Sequence, residues 1–192
     1  AVKNGIDCFR GSENDILDRF LQAAKKYNTE FIVNVDGDDI LCDPELVDKT
    51  IKFFTENKNT PDFIKWINLP LGISPMGIKV SALEAVCKMK DTDKTDTGWG
   101  KYFTETGKFD VIERTLDKSL QRPDIRLTLD YPEDEKLISI VIERLGKNGN
   151  DFNVSDIVKL FVREPKLLDI NKNVQKEYWE RFNEMSNTKL KQ

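Results

Sequence analysis

The sequence contains no histidine. That absence excludes Ser–His and Cys–His nucleophilic pairs, His-ligated zinc and a histidine general base together. Cysteine is scarce: Cys8, Cys42 and Cys87 are odd in number, far apart and without a CxxC pair. Neither a disulfide ladder nor a zinc ribbon is therefore expected, and reduced thiols of a cytoplasmic protein are. No apolar run approaches the roughly 18 residues of a membrane span, so no membrane association is expected. The opening Ala-Val-Lys-Asn-Gly lacks the apolar stretch of a signal peptide. Blocks of basic residues are missing too, and 30 Lys plus Arg against 34 Asp plus Glu give a net charge of −4. No nucleic-acid partner is expected from that balance. Chemistry must rest on carboxylates, Lys, Arg, hydroxyls, thiols and a hard metal ion.

What is present describes a soluble globular chain of 192 residues, 39% apolar and 33% charged, read as a single domain over 1–192. Ser12 followed by Asp15 reads as a helix N-cap, with Ile16, Leu17, Phe20, Leu21 and Ala24 at helical spacing. Phe31 to Val35 is a β-rich apolar run that ends abruptly in Asp36-Gly37-Asp38-Asp39. Asp43 and Pro44 then start a helix, as N-cap and first helical residue. Helix, strand, acidic turn and helix in succession predict an α/β protein with a mostly parallel sheet.

Further strands are expected at Asp62–Ile67, Ile78–Val80, Val111–Glu113 and Ile125–Leu129. The polar stretch Asp91 to Lys101 reads as a mobile loop over a site. Pro132 opens a helix with the apolar face Leu137, Ile138, Val141, Ile142 and Leu145. Helices over Val154–Val162 and Val174–Met185 are expected to form a C-terminal helical extension, 153–192.

Asp38 and Asp130 share one setting, an aspartate where a buried strand ends and a helix follows. Ligands of open α/β sheets bind at the carboxyl ends of strands. Two carboxylates from separate strands suit Mg²⁺, which takes its other ligands from water and phosphates. Gly37, without Cβ, lets a phosphate or sugar approach the backbone. The alternative is that Asp38, Asp39 and Asp130 cap turns and helices, as Asp43 does.

Three motifs occur in order: Phe9-Arg10-Gly11-Ser12-Glu13-Asn14-Asp15-Ile16-Leu17-Asp18-Arg19-Phe20, Val33-Asn34-Val35-Asp36-Gly37-Asp38, and Arg126-Leu127-Thr128-Leu129-Asp130-Tyr131-Pro132-Glu133-Asp134. With Pro70 and Gly72 between them, and Val154 to Ile157 and Glu164 to Asn171 after them, the chain resembles the cytidylyltransferases of the CMP-KDO synthetase and spore-coat-polysaccharide-F type.

The resemblance implies an α/β nucleotide-diphospho-sugar transferase fold (GT-A-like, Rossmann-like), a three-layer sandwich with a mostly parallel mixed sheet. It implies activation of a sugar or sugar acid with CTP, release of pyrophosphate, a role in cell-surface polysaccharide biosynthesis, and a homodimer to which Trp66, Trp99 and Phe103 contribute. By position Asp38 and Asp130 hold Mg²⁺, with Arg19 beside them as a catalytic candidate. Arg10, Ser12, Asp36 and Gly37 border the nucleotide, whereas Gly72, Ser74, Trp99 and Lys101 face the sugar. Arg19 has an alternative as a helix-surface ion pair with Asp15 or Asp18.

Two departures from the family pattern stand out. Ser74-Pro75-Met76 replaces an acidic Asp-Val-Glu, and Gly98 to Phe103 replaces the usual loop. The family's first strand and Gly-rich basic loop, which holds the CTP phosphates, has no counterpart in these residues. A non-catalytic nucleotide-binding relative and a GT-A glycosyltransferase are the alternatives, and the Asp130 to Asp134 ending favours the cytidylyltransferase.

Overall fold

The computed structural model describes residues 1–57, 59–146, 152–186 and 190–191. Its sheet has four short strands, β1 (Phe31–Asn34), β2 (Phe63–Trp66), β3 (Met76–Lys79) and β4 (Val111–Arg114), in the order β1-β3-β2-β4. β1 and β2 each pair antiparallel with β3, whereas β2 and β4 pair parallel. Three strands thus run one way and β3 runs against them. The sheet is mixed as expected, but two of its three pairings are antiparallel because the reversed strand lies between β1 and β2.

Alternation along β3 explains how two helical layers attach. Ile78, opposite Phe63, faces α1 (Ile16–Tyr27) and α3 (Val80–Met89), in a cluster with Leu17, Leu21, Leu83 and Val86. Gly77, opposite Ile64, faces α2 (Pro44–Glu56). A Cβ on Gly77 would come within 2.6 Å of the Phe54 ring and 2.9 Å of the Thr50 methyl, so the helix sits against bare backbone. Phe54 also stacks on Phe31 of β1, with ring centroids 4.8 Å apart.

A second apolar cluster lies beyond the sheet. Leu46, Leu69, Ile73, Ile125 and Leu127 meet α5 (Pro132–Leu145) through Leu137, Ile138 and Val141. They also meet α6 (Val154–Arg163) through Val154, Ile157, Leu160 and Phe161. Each such side chain contributes on the order of 1.5–3 kcal/mol when fully buried. The segment read as a C-terminal extension therefore supplies α6 to the core, and α7 (Lys172–Met185) follows it. The 3-10 turn Pro165–Asp169 joins the two.

Several sequence expectations shift. The first helix begins later than Ser12: Asp15 is its N-cap and accepts from the Asp18 N–H at 3.2 Å. Ser12 instead accepts from the Asp15 N–H at 3.0 Å, closing the turn before the helix. Residues 125–129 make no strand. They run beside the 69–73 loop with a single Leu71–Arg126 bridge, and Gly72, at φ +92°, takes the partner chain out of the extended geometry a ladder needs. A Cβ on Gly72 would lie 2.5 Å from the Thr128 nitrogen, so only glycine permits this approach.

The stretch expected to be mobile, 91–101, is pinned. Thr95 is buried, donates to Asp15 Oδ1 at 2.8 Å and accepts from the Leu17 N–H at 3.2 Å. Buried Lys90 pairs with Asp15 and, at 2.9 Å, with Asp93. After this stretch, α4 (Lys101–Thr104) carries Tyr102 and Phe103 into the core. Among the described residues, no helix is long and apolar enough to cross a membrane.

Candidate functional site

β1 ends at Asn34, and the chain turns sharply through Asp36 to Asp39, with the Asp39 N–H donating to the Asp36 carbonyl at 3.1 Å. The Leu129 N–H donates to the Asp38 carbonyl at 3.0 Å. That one bond places the acidic turn beside Asp130, so the two aspartate segments singled out in the sequence lie at one edge, although Asp130 follows an extended loop and not a strand.

The turn holds more negative charge than it has partners for. Asn34 Nδ2 donates to Asp36 Oδ1 at 2.8 Å. Burial nevertheless raises the Asp36 carboxyl above its ordinary value, with the Asp38 charge adding to the rise. Burial and the charges of Asp36, Asp38 and Asp130 push Asp39 up to about 7, against a hydrogen bond with Thr128 that holds it down. The Asp38 carboxylate has no hydrogen-bond or ion-pair partner among the described residues.

A cavity of about 530 Å³ opens on this turn, lined by Val35, Asp36, Gly37, Asp39 and Ile40 and by Pro44, Val47 and Asp48 of α2. Cys42 lines it as well, but burial and the neighbouring aspartates raise its thiol to about 12. That thiol is inert as a nucleophile near neutral pH.

Asp130 has the opposite surroundings. Arg126 is 1% exposed, and it holds both oxygens of Asp134 through Nε and Nη2, at 3.0 and 2.9 Å. The same Nη2 donates to Asp130 Oδ2 at 2.6 Å. Asp134, fully buried, also accepts from Asn171 Nδ2 at 2.8 Å and from the Asp130 and Tyr131 N–H groups at 3.1 Å. Burial alone would raise the Asp134 carboxyl, but these donors hold it below its ordinary value. The guanidinium lies 4.4 Å over the Tyr178 ring of α7. Arg181, one turn further along α7, sits 3.7 Å from the other oxygen, Asp130 Oδ1.

Among the described residues, no group of three or more Asp, Glu, Cys or His is arranged to hold a metal ion. The pair Asp38 and Asp130 still fits Mg²⁺, which is commonly bound by one or two carboxylates with water and phosphate oxygens completing the shell. Asp38 is unpaired, and Asp130 keeps one oxygen against a long, exposed ion pair.

The other sequence candidates fall into three places. Arg19 pairs with neither Asp15 nor Asp18: its Nη1 donates to the carbonyls of Ser12 at 2.7 Å and Glu13 at 3.2 Å. It clasps the Arg10–Ser12 segment, and Gly11 packs against its own backbone and side chain. Arg10 is exposed, and Ser12 lines a separate cavity of about 340 Å³ with Asp15, Asp18, Cys87 and Lys90.

Gly72 is buried in the packing beneath the acidic turn, against the backbone of Thr128, whose side chain binds Asp39. Ser74 is half-buried beside it.

Trp99, expected to stack on a ligand or line a dimer interface, is a core residue at 5% exposure, edge-on to Phe20 and Phe63. Phe103 is buried too, and half-buried Trp66 donates its indole N–H to Thr50 at 2.9 Å. Trp99 and Phe103 therefore provide no surface for a homodimer. Lys101 lies over the Phe182 ring and 3.8 Å from Glu105.

The residues that sequence reasoning missed are Arg126, Asp134 and Asn171. The signal was an arginine between Ile125 and Leu127 in an otherwise apolar run, since a buried guanidinium demands carboxylate partners.

No family model matches the sequence. The Uncharacterized protein MJ1063 of Methanocaldococcus jannaschii is 34% identical over 180 residues, covering 92% of this chain and 72% of that protein. The spore coat polysaccharide biosynthesis protein SpsF of Bacillus subtilis is 26% identical over 167 residues, 86% of this chain and 68% of its own length. A solved cytidylyltransferase from Leptospira borgpetersenii superposes with a TM-score of 0.77 at 27% identity, covering 87% of this chain and 70% of that one. The chain belongs to the cytidylyltransferase family of the spore-coat-polysaccharide-F type. Its mixed sheet between helical layers is the cytidylyltransferase fold.

Proposed function

We propose that the protein transfers a cytidylyl group from CTP to a sugar or sugar acid, supplying a CMP-sugar for cell-surface polysaccharide. Asp38 and Asp130 are the carboxylates that would hold Mg²⁺. The observation that carries this reading is the Leu129–Asp38 backbone bond, which joins the turn bearing the unpaired Asp38 carboxylate to a second aspartate in a family of cytidylyltransferases.

In the proposed reaction a hydroxyl of the sugar forms a bond to the α-phosphorus of CTP. The bond from that phosphorus to the bridging oxygen breaks, pyrophosphate leaves and the hydroxyl proton passes to solvent. A divalent ion at this position would neutralise phosphate charge, a task of positioning and electrostatic stabilisation that needs no histidine. Arg126 fixes Asp130 by its own hydrogen bond and by anchoring Asp134, which accepts from the Asp130 N–H. Gly37, exposed and open, leaves the backbone of the turn accessible to a phosphate or ribose. Arg19 is a positioning residue that holds the Arg10–Ser12 segment rather than a group facing Asp38.

Pyrophosphate release by the full-length protein, assayed with each nucleoside triphosphate and a panel of neutral sugars and sugar acids, tests this. Release with CTP in preference to ATP, GTP and UTP, and only with Mg²⁺ or Mn²⁺, is expected. A folded protein that releases none with any nucleotide overturns it.

A further inference from the structure

We propose that Arg181 is a displaceable counter-ion of Asp130, handed over to a phosphate group of the nucleotide when a divalent cation takes its place. The proposal rests on Asp130 being a metal ligand. The two oxygens of Asp130 face two arginines of different character. Oδ2 receives Arg126 Nη2 at 2.6 Å, and that guanidinium is 1% exposed, bound bidentately to Asp134 and covered by Tyr178. Oδ1 faces Arg181 Nη2 at 3.7 Å, from a side chain 52% exposed. A long, exposed ion pair contributes little and exchanges readily, whereas breaking the buried one would strand a charge. Oδ1 is therefore the oxygen a cation can take.

Once released, Arg181 has somewhere to act. Its guanidinium lies 5.4 Å over the Tyr131 ring, which keeps it at the mouth of the acidic edge. Arg126 is committed to two carboxylates, so Arg181 is the arginine contacting Asp130 that can turn to another anion. A planar guanidinium fork matches two phosphate oxygens at once. The sign of the coupling follows: Arg181 opposes metal binding in the absence of phosphate and favours phosphate once the metal is in place, each effect reciprocal by linkage.

The test is a Mn²⁺ titration of the protein followed by the electron paramagnetic resonance signal of the free ion, then inorganic pyrophosphate binding to the Mn²⁺-loaded form. Arg181→Gln is expected to bind Mn²⁺ about two- to fivefold more tightly than the unmodified chain, and pyrophosphate more weakly by a similar factor. Lys176→Gln, which removes an exposed cation one and a half turns away on α7, is expected to change neither. Unchanged Mn²⁺ or pyrophosphate affinity in Arg181→Gln overturns the hand-over, and so does equal tightening in Lys176→Gln. If Asp130→Asn leaves Mn²⁺ affinity intact, the metal reading of Asp130 itself falls.

Discussion

The turn after β1 and the turn before α5 bring carboxylates to the same edge, yet they are built in opposite ways. The first gathers Asp36, Asp38 and Asp39 with an amide and a hydroxyl as its neutral partners, and burial raises the Asp36 and Asp39 carboxyls. The second sets Asp130 and Asp134 against Arg126, Arg181 and Asn171, and Asp134 is lowered. One turn is therefore short of positive charge in the folded protein, and the other is already neutralised and rigid. A pair of this kind can grip a cation without either half collapsing onto it: the rigid turn sets the position and the deficient turn provides the attraction.

The comparison breaks most severely at Arg126. Arg126→Met leaves Asp134 buried without its cation and should cost about 3–5 kcal/mol in a denaturant titration, whereas Arg126→Met with Asp134→Leu should recover much of that loss. Next come the two metal candidates. Asp130→Asn weakens the hydrogen bond to a buried arginine and should cost about 1–2 kcal/mol. Asp38→Asn, with no partner to lose, should stay within about 0.5 kcal/mol of the parent in the same titration.

The smallest effect is one of pH. Because Asp39 is raised from 3.8 to about 7 on folding, its favourable contribution is complete below the unfolded value and is lost as pH rises through about 7. Asp39→Asn should therefore gain on the parent between pH 4 and pH 8, by about 1 kcal/mol once solvent screening is allowed for, read as thermal midpoints at the two pH values. Asp134, lowered on folding, has the reverse sign: its contribution is present above the ordinary carboxylate value and is lost as pH falls through its folded value. Acid should thus loosen the second turn while relieving the first.

Much of this arrangement was legible in the sequence because local chemistry dictated it. Asp43 and Pro44 start α2 as their types require, and Asp43 also accepts from the Val154 N–H at 2.8 Å, a long-range role that a cap signal does not reveal. The strand ending in Asp36–Asp39 was clear from an abrupt change of polarity. Ile125–Leu129 was misread as a strand because an apolar β-rich run reports burial, and here burial comes from α5, α6 and the 69–73 loop rather than from a ladder. Trp99 was misread because the polar residues around it describe a loop, while its ring packs among Phe20 and Phe63 from elements distant in sequence. Pairings such as Lys90 with Asp15 and Arg126 with Asp134 depend on tertiary approach and leave only a lone charge among apolar neighbours as a trace.

The central claim is that Asp38 and Asp130 share one divalent cation, and a double-mutant cycle on Mn²⁺ affinity with Asp38→Asn, Asp130→Asn and the combination tests it most directly. The account predicts that each single change removes most of the affinity and that the combination is scarcely worse than either. Independent, additive losses, or no loss from one of the pair, would contradict it.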